Sequence, residues 1–206
     1  MERCVILAGA DINNYEAIKK ELRTDDFIIC CDSGLKHREG LGVEPELIVG
    51  DFDSHPRPDT KVETIVLPCE KDDTDTVFAV KEALRRGYED FLILGAVGAR
   101  LDHSLCNVSI LLMLHAQGKK GRIVDDYSDM EIVGAKPAAV EPVYPFFSLL
   151  NISGVTRGVY VDNAKYPLDN AEISCRYQYG VSNEPLPGMT AHIRVEEGEA
   201  LLIRIK

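Results

Sequence analysis

The chain has 206 residues, of which 23 are Lys or Arg and 34 are Asp or Glu, for a formal net charge of −11. That balance argues against a general nucleic-acid binder, which needs a basic footprint for phosphate backbones. Hydrophobic residues make up 45% of the chain, enough for a real core and too many for wholesale disorder.

In chain order, the first half alternates short apolar runs with helical stretches. Cys4–Ala8, Phe27–Cys31, Leu47–Val49, Thr64–Leu67, Phe91–Leu94 and Arg122–Val124 read as strands. Several are unbroken apolar runs, as strands buried on both faces require. Helices are expected at Tyr15–Leu22, Thr74–Arg86 and Asp102–Gln117. In the second of these, Val77, Val80 and Leu84 recur at helical spacing and Gly87 stands where a terminating glycine belongs. In the third, Leu105, Val108, Leu112 and His115 are read as one side. Strand–helix alternation implies an α/β domain with a mainly parallel sheet, placed at residues 1–127.

After Asp126 the pattern changes. Ala135–Pro145 carries Pro137, Pro142 and Pro145 and reads as a connector or irregular edge. Beyond it the chain alternates with period two: Ala191, Ile193 and Val195 share a face, and Leu201, Ile203 and Ile205 share another, with Arg204 and Lys206 opposite. Residues 128–206 therefore read as a C-terminal antiparallel β-sandwich or barrel. The longest near-apolar stretch, Phe91–Ala99, is too short and glycine-rich to span a bilayer. The N-terminus lacks a long apolar segment, so the expected location is cytoplasmic. The six cysteines form no CxxC pair and read as reduced, mostly buried thiols.

The chemistry lies in the placement of the carboxylates. Asp32 follows one strand; Asp51 and Asp53 follow another, in Gly50-Asp51-Phe52-Asp53-Ser54. Asp72, Asp73 and Asp75 open a helix in Lys71-Asp72-Asp73-Thr74-Asp75, and Asp102 opens the next, after Gly95-Ala96-Val97-Gly98-Ala99-Arg100-Leu101. In an open parallel sheet the carboxyl ends of the strands share one edge, where ligands bind. Four acidic segments then converge on one crevice, and crowded carboxylates need a cation. All-oxygen ligation suits Mg²⁺ with substrate phosphates. The helix starts, the Gly95–Gly98 turn and Arg100 offer phosphate sites. The combination points to phosphoryl or pyrophosphoryl transfer. Separately, Asp73 or Thr74 reads equally as a helix cap and Arg100–Asp102 as a local ion pair.

The same segments, taken in order, resemble the thiamine pyrophosphokinase family from about Cys31 to Asn183. Cys31-Asp32-Ser33-Gly34 is similar to its (A/C)D(G/S)G segment, Gly50–Ser54 to GDFDS, Lys71–Asp75 to (K/Q)DxTD, and Gly95–His103 to GxxGxRxDH. Ala164-Lys165-Tyr166-Pro167-Leu168 and Ser182-Asn183 resemble its LKYPL and SN elements. The resemblance implies transfer of the pyrophosphoryl group of ATP to thiamine, giving thiamine diphosphate and AMP. It also implies a homodimer with its active site between subunits. Carried over, Asp51, Asp53 and Asp75 hold Mg²⁺. Asp32, Gly34, Asp72, Thr74 and His103 serve the metal–nucleotide site, with Asp72 and Asp102 as candidate proton acceptors. Arg100 contacts phosphate, Asp102 contacts substrate, and Ser182 and Asn183 lie at the thiamine pocket. Animal and fungal members stack thiamine on a tryptophan near the C-terminus; this chain has no Trp, and Leu202 or Ile203 falls there. Two other readings stand beside this one. One is a metal-dependent phosphatase using Asp51 and Asp53, with which the interposed Gly50 and the following Ser54-His55 agree badly. The other is a binding module without turnover.

Overall fold

The computed structural model describes residues 3–53, 57–70 and 72–206, so Ser54, His55 and Lys71 of the quoted motifs lie outside the described residues. The chain separates into two compact units, Met1–Asp126 and Tyr127–Lys206.

In the first unit the strands are β1 (Cys4–Leu7), β2 (Phe27–Cys31), β3 (Leu47–Gly50), β4 (Glu63–Val66), β5 (Asp90–Leu94) and β6 (Lys120–Val124). They lie in the order β4-β3-β2-β1-β5-β6, every pair parallel. The four inner strands β1, β2, β3 and β5 are buried almost throughout, which explains their unbroken apolar runs. The helices are α1 (Tyr15–Lys19), α2 (Arg38–Leu41), α3 (Asp75–Arg85) and α4 (Leu101–Ala116), with a 3₁₀ turn at Asp32–His37 leading into α2. One core forms on the α1/α2 side, where Val5, Leu7, Ile28, Cys30, Leu92 and Leu94 meet Ile18 and Leu41. On α3 the residues Ala79, Val80 and Ala83 are buried, and the helix packs on β1, β2 and β3. Its end follows from Gly87. With φ at +93°, the chain turns so that Gly87 N donates to Leu84 O and Tyr88 N to Ala83 O, satisfying the last carbonyls.

The buried side of α4 differs from the sequence reading. Ser104, Asn107, Ile110, Leu111 and Leu114 are buried, whereas Leu105 is exposed. The helix is apolar on both sides, so spacing alone does not select the inner one. Ser104 and Asn107 tolerate burial because their side chains hydrogen-bond loop backbone. The cysteines divide evenly: Cys4, Cys30 and Cys31 are buried, Cys106 is half-buried, and Cys69 and Cys175 are exposed.

The second unit contains β7 (Ser128–Val133), β8 (Ala138–Val140), β9 (Phe146–Leu150), β10 (Val155–Asp162), β11 (Leu168–Ser174), β12 (Ala191–Glu197) and β13 (Ala200–Ile205). Strands β7-β13-β9 pair antiparallel, as do β11-β10-β12-β8. Both sheets contribute to one core, with Val133, Phe147, Leu149 and Leu202 from the first and Val159, Val161, Ile173, Ile193 and Val195 from the second. This is the expected sandwich, an α/β domain followed by an antiparallel one. The proline-bearing connector holds β8, an edge strand bracketed by Pro137 and Pro142, positions where a missing N–H breaks no ladder.

Strand β13 keeps the expected alternation, and the structure shows which side packs on the sandwich core. Ala200 and Leu202 face the sandwich core, and Leu201, Ile203 and Ile205 lie on the other side. Arg204, on the same side as Leu202, is buried. Its guanidinium donates to Ala139 O and to Glu131, with Asp129 nearby. A buried arginine is tolerable when carbonyls and carboxylates take up its donors.

Candidate functional site

Strand order places the site. From β1 the chain winds outward through β2, β3 and β4, then crosses to the other side of β1 for β5 and β6. The loops after β1 and β5 therefore diverge at the carboxyl edge and open a crevice between them. A cavity of about 420 Å³ lies there, within the range of small-molecule sites. The loop after β1 lines it with Ala8, Gly9, Ala10 and Asp11, and the loop after β5 with Gly95, Ala96, Gly98, Ala99 and Arg100.

Three strand or helix ends bring carboxylates together. Asp32 begins the 3₁₀ turn after β2, Asp51 follows β3 and Asp75 opens α3. One carboxylate oxygen from each lies within 4.8 Å of the others. Asp32 is buried, and the backbone N–H and hydroxyl of Ser33 both donate to its Oδ1. The Oδ1 atom of Asp75 is buried. Close packing fixes this arrangement. A Cβ on Gly34 would stand 1.9 Å from Leu7 O, and one on Gly50 would stand 2.6 Å from Asp32 Cβ. In the turn after β3, Phe52 adopts φ +56°, a left-handed backbone that a bulky residue seldom takes. Asp51 on one side of it joins the cluster, while Asp53 on the other is exposed.

The observed trio thus holds Asp32 where the sequence reading put Asp53. Its all-oxygen character and spacing fit Mg²⁺, which takes carboxylates and phosphate oxygens. Thr74 is the N-cap of α3, accepting from Val77 N at 3.3 Å, and also lines the cavity. Asp73 pairs with Lys81 at 2.6 Å, and Asp72 is exposed outside the trio. Gly34 does not line the cavity; it supports it from beneath, against β1. Arg100 and His103 do line it. The Arg100 guanidinium grips Asp102 through Nε at 3.0 Å and Nη2 at 2.6 Å, and holds that carboxyl well below the usual carboxylate range. Asp102 is therefore a weak proton acceptor in this arrangement.

Sequence reasoning missed the residues that shape the loops. Ser104 Oγ accepts from Gly98 N at 3.1 Å, and Asn107 Nδ2 donates to Ala96 O at 2.8 Å, so α4 fixes the Gly95–Gly98 turn. His37 is buried, its Nε2 2.8 Å from Ala10 O and its Nδ1 2.8 Å from the Tyr15 hydroxyl. Burial pushes the His37 pKa down, so the neutral ring is favoured. Lys36 and Asp11 also line the cavity. Ser33, Lys36 and His37 lie beside the acidic motif in sequence, and that adjacency was the available signal.

In the second unit, Ser182 is exposed at φ +56°. Asn183 is buried and occupied: Nδ2 donates to Tyr166 O at 2.8 Å, and Oδ1 accepts from Tyr166 N at 3.0 Å. The LKYPL-like and SN-like elements are therefore one clamp that presents the exposed Tyr166 ring.

Comparison with known proteins follows the same lines. The family description "Thiamin pyrophosphokinase, catalytic domain" matches residues 18–123. A thiamine pyrophosphokinase of Bacillus subtilis is 27% identical over 192 residues, 89% of this chain and 90% of that protein. A crystal structure of the enzyme from B. subtilis superposes with a TM-score of 0.87 at 21% identity, covering 100% of this chain and 99% of that one. The thiamin pyrophosphokinase from Geobacillus thermodenitrificans gives 0.84 at 24% identity, covering 100% and 98%. The yeast enzyme gives 0.71 at 15% identity, covering 100% and 86%.

Proposed function

We propose, from the premise that this chain belongs to the thiamin pyrophosphokinase family, that it transfers the pyrophosphoryl group of ATP to the hydroxyl of thiamine. The products are thiamine diphosphate and AMP. The observation that carries this reading is the Asp32–Asp51–Asp75 trio beside a cavity at the sheet's switch point.

The trio would hold Mg²⁺, with Asp53 next in the same turn. Bound there, the ion would neutralise the three carboxylates and the phosphate charge. Thr74 and the start of α3 orient the nucleotide, and the Gly95–Gly98 turn leaves room for its phosphates. The thiamine oxygen attacks the β-phosphorus, the bond from that phosphorus to the α-phosphate oxygen breaks, AMP departs with the electron pair, and the hydroxyl proton passes to water. Arg100 stabilises charge on the transferred group. A loose transition state needs little help from a base, which suits an Asp102 already held by Arg100. His103 borders the nucleotide. The same reading makes the protein a cytoplasmic homodimer with an intersubunit site. Ser182 and Asn183 serve the thiamine pocket, Asn183 acting through the backbone of Tyr166.

Incubation with Mg-ATP and thiamine, followed by chromatography, tests the reaction. Equimolar AMP and thiamine diphosphate are expected. Free phosphate released without thiamine would indicate the phosphatase reading. A thiamine-induced thermal shift with no product would indicate a binding module.

A further inference from the structure

The cavity of the first unit contains a charged pair that the proposed reaction leaves unused. Lys36, one turn beyond the buried Asp32, reaches Asp11 in the loop after β1, with Nζ 2.6 Å from Oδ1. Both residues line the cavity. Among the described residues the basic side chains lining it are Lys36, Arg100 and His103, and the first two are each held by an acidic partner.

This pair does not hold the loop in place. Ala10 N donates to Gly95 O at 2.7 Å, and His37 Nε2 lies 2.8 Å from Ala10 O, so neutral hydrogen bonds fix the backbone on both sides. The side chains of Lys36 and Asp11 are 43% and 85% exposed. A solvated pair of that kind is weakly held, and its ammonium can be drawn away by a stronger anion. A nucleotide phosphate is such an anion, since it carries more charge and would meet Lys36 inside a partly enclosed cavity.

We propose that Lys36 is a phosphate-binding residue for the nucleotide and that Asp11 is its resting counter-ion, displaced when the nucleotide enters. The inference rests on the reading of the cavity as a nucleoside triphosphate site. It makes Asp11 an internal competitor of the ligand. Removing the Lys36 charge must weaken binding, removing the Asp11 charge must tighten it, and the second effect must disappear when Lys36 is already gone. A purely structural pair behaves differently, because both single variants then weaken binding together.

The test is calorimetric titration of the full chain with ATP, at fixed Mg²⁺ and low salt, for wild type, Lys36→Met, Asp11→Asn and the double variant. Lys36→Met is expected to raise Kd about 10-fold and Lys36→Arg to recover part of the loss, as one charge-assisted contact warrants. Asp11→Asn is expected to lower Kd about 3-fold, as release of a weak surface pair warrants. The double variant should match Lys36→Met. Unchanged Kd in Lys36→Met with normal wild-type binding overturns this inference alone. So does weaker binding in Asp11→Asn. Equal tightening by Asp11→Asn in both backgrounds also overturns it, since the effect is then general repulsion and not competition for Lys36. Wild-type protein that binds no ATP overturns the reading of the reaction, and this inference with it.

Discussion

The two units arrange their polar groups differently. In the sandwich unit the buried polar groups are matched to partners, Arg204 to Ala139 O and to Glu131 with Asp129 nearby, and neutral amides and hydroxyls to their neighbours. Asn151 donates to Thr156 Oγ1 at 2.6 Å and accepts from Gly154 N at 2.8 Å, while Thr156 donates to Glu199 O at 2.6 Å. In the α/β unit three carboxylates share one edge within 4.8 Å of each other. Local hydrogen bonding satisfies the first set, whereas the second gathers like charge at one sheet edge, an arrangement that suits a cation. The first unit spends stability on chemistry; the second spends its polar groups on shape.

The largest expected effect probes that contrast directly. Asp75→Asn should lower AMP formation by about 10³-fold or more, since it removes a charge from the trio proposed to hold Mg²⁺. Its thermal midpoint should hold or rise, because like-charge repulsion is relieved. Near-normal turnover would remove Asp75 from the site. Next, Phe147→Ala should cost about 4 kcal/mol by denaturant unfolding, as expected for an aromatic removed from a packed core. Asn151→Ala should cost about 2 kcal/mol, because the Gly154 N–H and Thr156 hydroxyl lose a partner where water does not replace it. A neutral result there would show that the second unit's polar groups are not structural.

The smallest effect sharpens the comparison from within the first unit, where His37 is polar, buried and structural. Its folded pKa lies below the usual 6.5 because burial disfavours the charged ring. Below that pH the unfolded chain binds a proton that the folded chain does not. Stability from this group is therefore complete above 6.5 and is lost as pH falls toward the folded value. His37→Gln should flatten that slope in thermal melts across the acid range, and an unchanged slope would remove His37 as its source.

Much of this was legible in the sequence, for reasons that also mark where legibility ends. The apolar runs at Cys4–Ala8, Phe27–Cys31 and Phe91–Leu94 announce doubly covered strands. Thr74 and Gly87 mark both ends of α3. The inner sides of α4 and β13 were not legible, because Leu105 imitates a core residue and Arg204 imitates a surface one. The acidic segments were legible as a convergence, but membership of the trio was not. Asp32 joins the group from the end of β2, while Asp51 and Asp53 stand on either side of the left-handed Phe52. The pairing of Lys36 with Asp11 was not legible, because only the order β2-β1-β5 brings their segments to one opening.

The left-handed Phe52 sets a limit on engineering. A bulky side chain in that conformation costs about 1–3 kcal/mol. Phe52→Gly would remove the penalty and loosen the swivel that turns Asp51 inward and Asp53 outward. Thermostabilisation campaigns that select on melting temperature alone will be drawn to this residue and will blunt the enzyme there.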